Sequence, residues 1–415
     1  MIYVHVPFCR SFCTYCDFYS EICSRTGSQQ VQNRFLDELV SEIRRRDLAP
    51  GNRLVSLDLS HLRWAPPSYD AEGGTDSQGS NPSASSTVST DDYHYIADKY
   101  SNDEVNTLYI GGGTPSVLPA DMLERIVEAL GPADYEEFTV EVNPDDIVEK
   151  GLEYVRRLVE MGVNRVSMGV QSFDDGILKW MNRRHDAAEA KLAYRLLRDG
   201  GVRNVSIDLI FGLSQLTDEV WERTINEALA LGPEHISAYQ LSVEEGSALG
   251  RMVRDGRYRE AQDEDCRRQY DILCRRLGEA GYHHYEISNW AKPGREAVHN
   301  SAYWRRVPYI GLGPGAHSLS PDGVRSWNTQ ELSGWTSESE VLTPDEVREE
   351  TLMLALRTSR GLPLAQLRAL AAPGSVDALL AGGSLQITGP RGSEPYARIP
   401  EDRFFVSDDI VASLI

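Results

Sequence analysis

The strongest constraint on the fold is a repeat. Over the first 245 residues, short β-branched runs alternate with amphipathic stretches. The runs fall at residues 2–7, 105–110, 138–142, 165–170, 205–210 and 235–241. They mix Val, Ile, Thr, Tyr and Phe with few charges, as buried parallel strands do. Between them, apolar side chains recur at three and four residues. Phe35, Leu36, Leu39, Val40 and Ile43 form one such series, and Met122, Leu123, Ile126, Val127 and Leu130 another. This spacing predicts helices with one buried face. Pro119 is a start signal for the second helix. Six βα units in series predict parallel strands with right-handed crossovers. The expected fold is therefore α/β, a partial six-stranded barrel of the TIM type. Such folds keep their chemistry at the C-terminal ends of the strands. Cys9, Gly111, Asn143, Gln171 and Gly212 all fall just past a predicted strand.

Other stretches depart from the repeat. Residues 65–98 are rich in Ser, Gly, Pro, Asp and Thr and hold no Lys or Arg. They read as a flexible surface insertion in the first crossover. Residues 246–340 are expected to complete the barrel. They include a further glycine-rich turn, Gly311 to His317, expected to close over a cofactor site. Near Val341 the pattern changes. Thr343-Pro344-Asp345 opens a helix carrying Val347, Leu352, Ala355 and Leu356. Residues 341–415 read as a small accessory domain.

Composition narrows the classes of partner. The 63 acidic residues outnumber the 42 basic ones, for a net charge of −21. That excess argues against broad binding to nucleic acid or to an anionic membrane surface. No apolar run reaches the ~18 residues of a membrane span. The first strand-like run begins at Ile2, which leaves no space for a targeting segment. A cytoplasmic protein is expected. Six cysteines in 415 residues are too few for a disulfide scaffold.

Three of those cysteines form the segment Cys9-Arg-Ser-Phe-Cys13-Thr-Tyr-Cys16. Thiolates favour soft metals and iron–sulfur clusters. Structural zinc takes four ligands, and no fourth thiolate is near. A 4Fe–4S cluster on three cysteines leaves one iron open to an outside ligand. S-adenosylmethionine can fill it through its amino and carboxylate groups. Cys23, Cys266 and Cys274 lack such spacing and read as ordinary residues.

The triad directly after a first strand, in a βα-repeat chain, resembles the radical S-adenosylmethionine superfamily. The resemblance sharpens at Tyr3-Val-His5-Val-Pro7, Gly111-Gly-Gly-Thr114-Pro, Glu141-Val-Asn-Pro144, Gly169-Val-Gln171-Ser-Phe173 and Asp208-Leu-Ile-Phe-Gly212. Together these are similar to the oxygen-independent coproporphyrinogen oxidase group, and within it to its heme chaperones. The similarity runs over most of the chain outside residues 65–98. It implies that Gly112, Gly113 and Thr114 hold the amino and carboxylate end of S-adenosylmethionine. It further assigns Glu141, Gln171, Arg183 and Asp208 to that ligand, with Tyr3 and Tyr15 as contacts. Carboxylates and amides suit ribose hydroxyls and an ammonium, and Arg suits a carboxylate. It also implies a winged-helix-like C-terminal domain.

Two functional classes compete. One is an oxidase that decarboxylates coproporphyrinogen III by radical chemistry. The other is a heme chaperone that delivers heme to acceptors such as respiratory cytochromes, membrane-associated ones included. The oxidases resemble a pattern with a further cysteine two residues after the third, where this chain has Phe18. They also carry an N-terminal extension before the first strand. Both departures match the chaperones. The motif His299-Asn-Ser-Ala-Tyr303 resembles the chaperones' heme-binding signature, which implies heme contact through His299 and Tyr303. Val298 stands where that signature has Arg, and His317 is a second candidate ligand. The resemblance also implies a cluster-assisted homodimer.

Overall fold

A computed structural model describes residues 1–22, 28–46, 48, 105–389 and 394–415. The 65–98 segment and Cys23 lie outside the described residues. Seventeen strands are present among those described. In chain order the first group is β1 (Ile2–Val6), β2 (Phe8–Cys9), β3 (Glu21–Ile22), β4 (Thr107–Gly112), β5 (Glu137–Val142), β6 (Arg165–Gln171), β7 (Val205–Phe211) and β8 (His235–Gln240). Then come β9 (His283–Glu286), β10 (Asn289–Ala291), β11 (Ile310–Leu312), β12 (His317–Leu319), β13 (Val324–Asn328) and β14 (Ser337–Val341). The C-terminal part holds β15 (Leu362–Pro363), β16 (Gln386–Thr388) and β17 (Tyr396–Arg398).

All six strands expected from the repeat are present, and β1, β4, β5, β6, β7 and β8 pair in parallel in that order. The 246–340 segment extends this sheet at both edges. β11 pairs with β1 in parallel, and β10 pairs with β8 antiparallel, followed by β9. The nine-stranded sheet stays open, with β11 and β9 as its edges.

Alternation along the strands separates two faces. Val4, Leu108, Ile110, Val140, Val166, Met168, Ile207 and Ile236 are buried in the apolar core. The predicted helices cover them. The helix Ala120–Leu130 buries Met122, Leu123, Ile126 and Leu130, each worth about 1.5–3 kcal/mol of transfer free energy. The opposite face carries Tyr3, His5, Tyr109, Glu141, Arg165, Ser167, Asp208 and Ser237, and it forms the concave interior.

The Gly311 to His317 stretch is a turn at residues 313–316 between strand β11 and strand β12, which His317 opens, and none of its residues lines the cavity of the concave interior. The glycines serve close backbone packing. A Cβ on Gly311 would lie 1.9 Å from the His317 carbonyl oxygen, and Gly313 adopts φ +88° against the His5 carbonyl.

The C-terminal part has the order helix Pro344–Leu356, β15, two short helices, β16, β17 and a last helix Ser407–Ala412. Thr343 and Glu346 cap the first helix reciprocally. β15, β17 and β16 form a small antiparallel sheet, which gives the winged-helix-like order expected.

Candidate functional site

A cavity of about 640 Å³ occupies the concave interior. It opens where the six parallel strands end, the place where the βα repeat predicts chemistry. Cys9, Cys13 and Cys16 line it, together with Tyr15, Gly112, Gly113 and Thr114. Glu141, Gln171, Arg183 and Asp208 line it too. The fold thus gathers eleven of the fourteen candidate residues around one space.

Backbone contacts fix the cysteine loop. Thr14 donates from its N–H to the Met181 carbonyl at 3.0 Å and from its hydroxyl to the Trp180 carbonyl at 2.9 Å. Its own carbonyl accepts from Leu249 N–H at 2.8 Å. Asn182 Nδ2 donates to the Phe12 carbonyl at 2.7 Å. Arg10 reaches Asp146, a fully buried carboxylate that also faces Arg184 at 3.2 Å.

The donor set fits an iron–sulfur cluster. Burial raises the Cys9 thiol, and it raises Cys16 to about 11, with Cys13 and Cys9 adding to the effect. Left without a metal, the Cys9 and Cys16 thiols hold their protons at neutral pH. A bound cation reverses that preference, because coordinated thiols are deprotonated.

Arg183 stands between the thiols and the strand ends. Its Nη1 donates to Cys13 Sγ at 3.3 Å, and its Nη2 donates to the Gly169 carbonyl and to Asn143 Oδ1. Its buried Nε has no partner. Burial opposes the guanidinium charge, but Tyr15, Cys13 and Asp145 hold its pKa above the ordinary value. An orphaned N–H on a buried cation beside the triad fits a carboxylate ligand.

The glycine turn is shaped by its neighbours. Gly112 has φ +110°, and a Cβ there would lie 2.7 Å from the His5 ring. A Cβ on Gly113 would lie 2.8 Å from backbone atoms of Phe8. Thr114 Oγ1 lies 3.5 Å from Cys9 Sγ and accepts from Asn143 Nδ2 at 3.3 Å. Glu141 accepts from the Tyr109 hydroxyl at 2.7 Å and from Gly112 N–H at 3.1 Å. Burial raises the Glu141 carboxyl to about 7. Gln171 adopts φ +71° at a break in the β6–β7 register. Such a bulge re-aims a side chain at a functional site.

Three candidates lie outside the cavity wall. The Tyr3 hydroxyl bonds His5 Nδ1 at 3.0 Å, behind the glycine turn. His299 and Tyr303 sit on the helix Val298–Trp304, at the opposite end of the strands from the thiols. His299 is 1% exposed. Its Nδ1 meets Thr107 Oγ1 at 2.8 Å and its Nε2 meets the Tyr303 hydroxyl at 3.0 Å. Burial lowers its pKa to about 3, so the imidazole is neutral. Asn300, one residue on, does line the cavity.

Reading by motif missed Tyr109, Arg165, Ser167, Ser237 and Tyr239, which also line the space. A signal for most of them was present. Polar residues recur at alternate positions, Arg165, Ser167 and Gln171 on β6, Ser206 and Asp208 on β7, and His235, Ser237 and Tyr239 on β8, the period of one strand face.

The curved parallel sheet and its cysteine-lined mouth define a radical S-adenosylmethionine protein, and the family model for the "Radical SAM superfamily" matches residues 72–228. Among curated relatives, the heme chaperone HemW of Mycobacterium tuberculosis is 31% identical over 405 residues, covering 94% of this chain and 89% of that one. HemW of Synechocystis is 32% identical, covering 88% and 79%. The chain belongs to the HemW family. In structure it resembles coproporphyrinogen III oxidase, HemN, from Escherichia coli, with a TM-score of 0.67 and 20% identity over 100% of this chain and 89% of that one. That likeness establishes the fold alone.

Proposed function

We propose that the chain is a heme chaperone of the cytoplasm. It binds heme, a 4Fe–4S cluster and S-adenosylmethionine, and delivers heme to acceptor proteins such as respiratory cytochromes. The observation that carries this reading is likeness to heme chaperones along nearly the whole of both chains.

The cavity supports the cofactor half of the reading. Cys9, Cys13 and Cys16 would hold the cluster. Gly112, Gly113, Thr114, Glu141, Gln171, Arg183 and Asp208 would hold S-adenosylmethionine, with Tyr15 beside them. Tyr3 would act through His5 and the glycine turn. Phe18, exposed at the cavity mouth, stands where an oxidase has its further cysteine. Among the described residues no helix is long and apolar enough to cross a membrane.

Heme binding is assigned to His299 and Tyr303. Ligation by His299 requires its hydrogen bond to Tyr303 or to Thr107 to open, since both ring nitrogens are engaged. The imidazole is already neutral, as an iron ligand must be.

The test is anaerobic reconstitution followed by two assays on the same preparation. One records the heme absorption spectrum of wild type and His299→Ala. The other measures protoporphyrinogen formed from coproporphyrinogen III. A heme spectrum that His299→Ala alters, with no decarboxylation, is the expected result. Robust decarboxylation without heme binding would overturn the reading in favour of the oxidase.

A further inference from the structure

The deepest charged group in the cavity is Arg165, the first residue of β6. It is 2% exposed and lines the cavity. Its guanidinium is poorly satisfied. Nη1 reaches Thr139 Oγ1 at 3.5 Å, Nε has no hydrogen-bond partner, and the Glu137 carboxylate lies 3.9 Å from Nε. Glu137 is committed elsewhere. Its two oxygens accept from Val298 N–H at 2.9 Å and from His299 N–H at 3.1 Å, at the start of the Val298–Trp304 helix. A buried guanidinium with five donors and so few acceptors is costly unless something else pairs with it.

The surroundings indicate what that is. Burial opposes the charge of Arg165, yet Glu137, Tyr109, Tyr285 and Asp208 keep its pKa raised, so the cation persists. Asp208 shares the space, but Ser167 donates to it at 3.0 Å and Ser206 at 3.3 Å. Burial raises the Glu141 carboxyl to about 7, which weakens its repulsion of an incoming anion. At the other end the mouth is mixed: Phe12 and Phe18 are exposed beside Ser11, Asp17, Asn182 and Arg184. An under-paired cation at the base of the cavity, beside the Glu137 carboxylate that holds the backbone of His299, suits the carboxylate arm of a ligand bound at His299.

We propose that Arg165 is a carboxylate-binding residue at the base of the barrel, which receives a propionate of the heme cargo. The proposal rests on the heme reading above.

The test compares heme with its dimethyl ester, in which both carboxylates are blocked. Each is titrated spectrophotometrically into wild type, Arg165→Gln and Arg165→Lys, all reconstituted anaerobically. Wild type is expected to prefer heme over the ester by about tenfold or more, the worth of a charge-assisted hydrogen bond. Arg165→Gln is expected to bind the two alike, and Arg165→Lys to keep part of the preference. Iron content and thermal unfolding verify that each variant retains its fold. A wild type that binds neither ligand defeats the heme reading itself. A wild type that binds heme without preferring it, or an Arg165→Gln variant that keeps the wild-type preference, defeats this inference alone. Loss of the fold in both variants makes Arg165 a structural counter-charge and also defeats it.

Discussion

Arg183 donates to Cys13 Sγ at 3.3 Å, which places a buried guanidinium directly against one of the three clustered thiols. A positive charge beside a cluster favours its reduced, more negative state. Arg183→Gln should therefore shift the cluster's reduction potential to more negative values while leaving iron content intact. Potentiometric titration followed by electron paramagnetic resonance reads both. The same variant should bind S-adenosylmethionine about tenfold more weakly or worse, as expected for a lost charge-assisted hydrogen bond.

Glu42 ties distant segments together. Buried on the helix Ser28–Arg45, it accepts from Gly313 N–H at 2.9 Å, Asn328 Nδ2 at 2.9 Å and Trp335 Nε1 at 3.1 Å. Arg46 pairs with it at 3.0 Å. Removing such a hub strands several buried donors. Glu42→Ala should cost about 3–5 kcal/mol, measured by urea denaturation. A loss below about 1 kcal/mol would contradict this role for the network.

Two sets of groups give stability opposite slopes with pH. Burial holds His185 at about 3, His284 at about 4 and His299 at about 3. Below about pH 6.5 the unfolded chain binds protons that these folded imidazoles refuse, so stability falls as pH drops toward 4. Glu141, raised to about 7, acts the other way. Between about pH 4.5 and 7 the folded state holds a proton that the unfolded state has lost, so its contribution falls as pH rises. Urea midpoints across pH 5–8 should therefore shift in Glu141→Gln toward higher relative stability at pH 8 than in wild type. An unchanged difference between pH 5 and pH 8 would contradict the burial of this carboxyl.

Phe18 is exposed, so its removal tests function apart from folding. Phe18→Ser should move stability by no more than about 0.5 kcal/mol. It should leave heme binding unaltered in a spectrophotometric titration, because Phe18 lies at the mouth and His299 at the opposite end of the strands. Phe18→Cys should bind no additional iron, since three thiols already suffice for the cluster.

The six-strand repeat was legible because parallel strands and covering helices leave separate periodic signatures, and each expected strand is present within a residue or two. The cysteine site was legible because Cys9, Cys13 and Cys16 are adjacent in sequence. Arg165 and Tyr109 were not found by motif. They occur inside strands, where composition was weighed as a whole and the polar alternate positions of the inner face were averaged with the apolar outer ones. The glycines between Gly311 and His317 carry a mixed signal. Glycines signal close backbone approach as readily as flexibility, and here the approach is to β1 and β12. His299 shows the limit most clearly. Its motif specifies residue types, but only the fold reveals that Thr107 and Tyr303 already occupy both ring nitrogens.

The three thiols at the cavity mouth would hold a cluster with one iron open to S-adenosylmethionine. The most direct measurement is iron and sulfide content after anaerobic reconstitution, with the electron paramagnetic resonance spectrum of the reduced protein before and after adding S-adenosylmethionine. The account predicts about four irons per chain, a spectrum that changes on adding the ligand, and loss of both in Cys13→Ser. Iron content unchanged in Cys13→Ser, or a spectrum indifferent to S-adenosylmethionine in wild type, would contradict it.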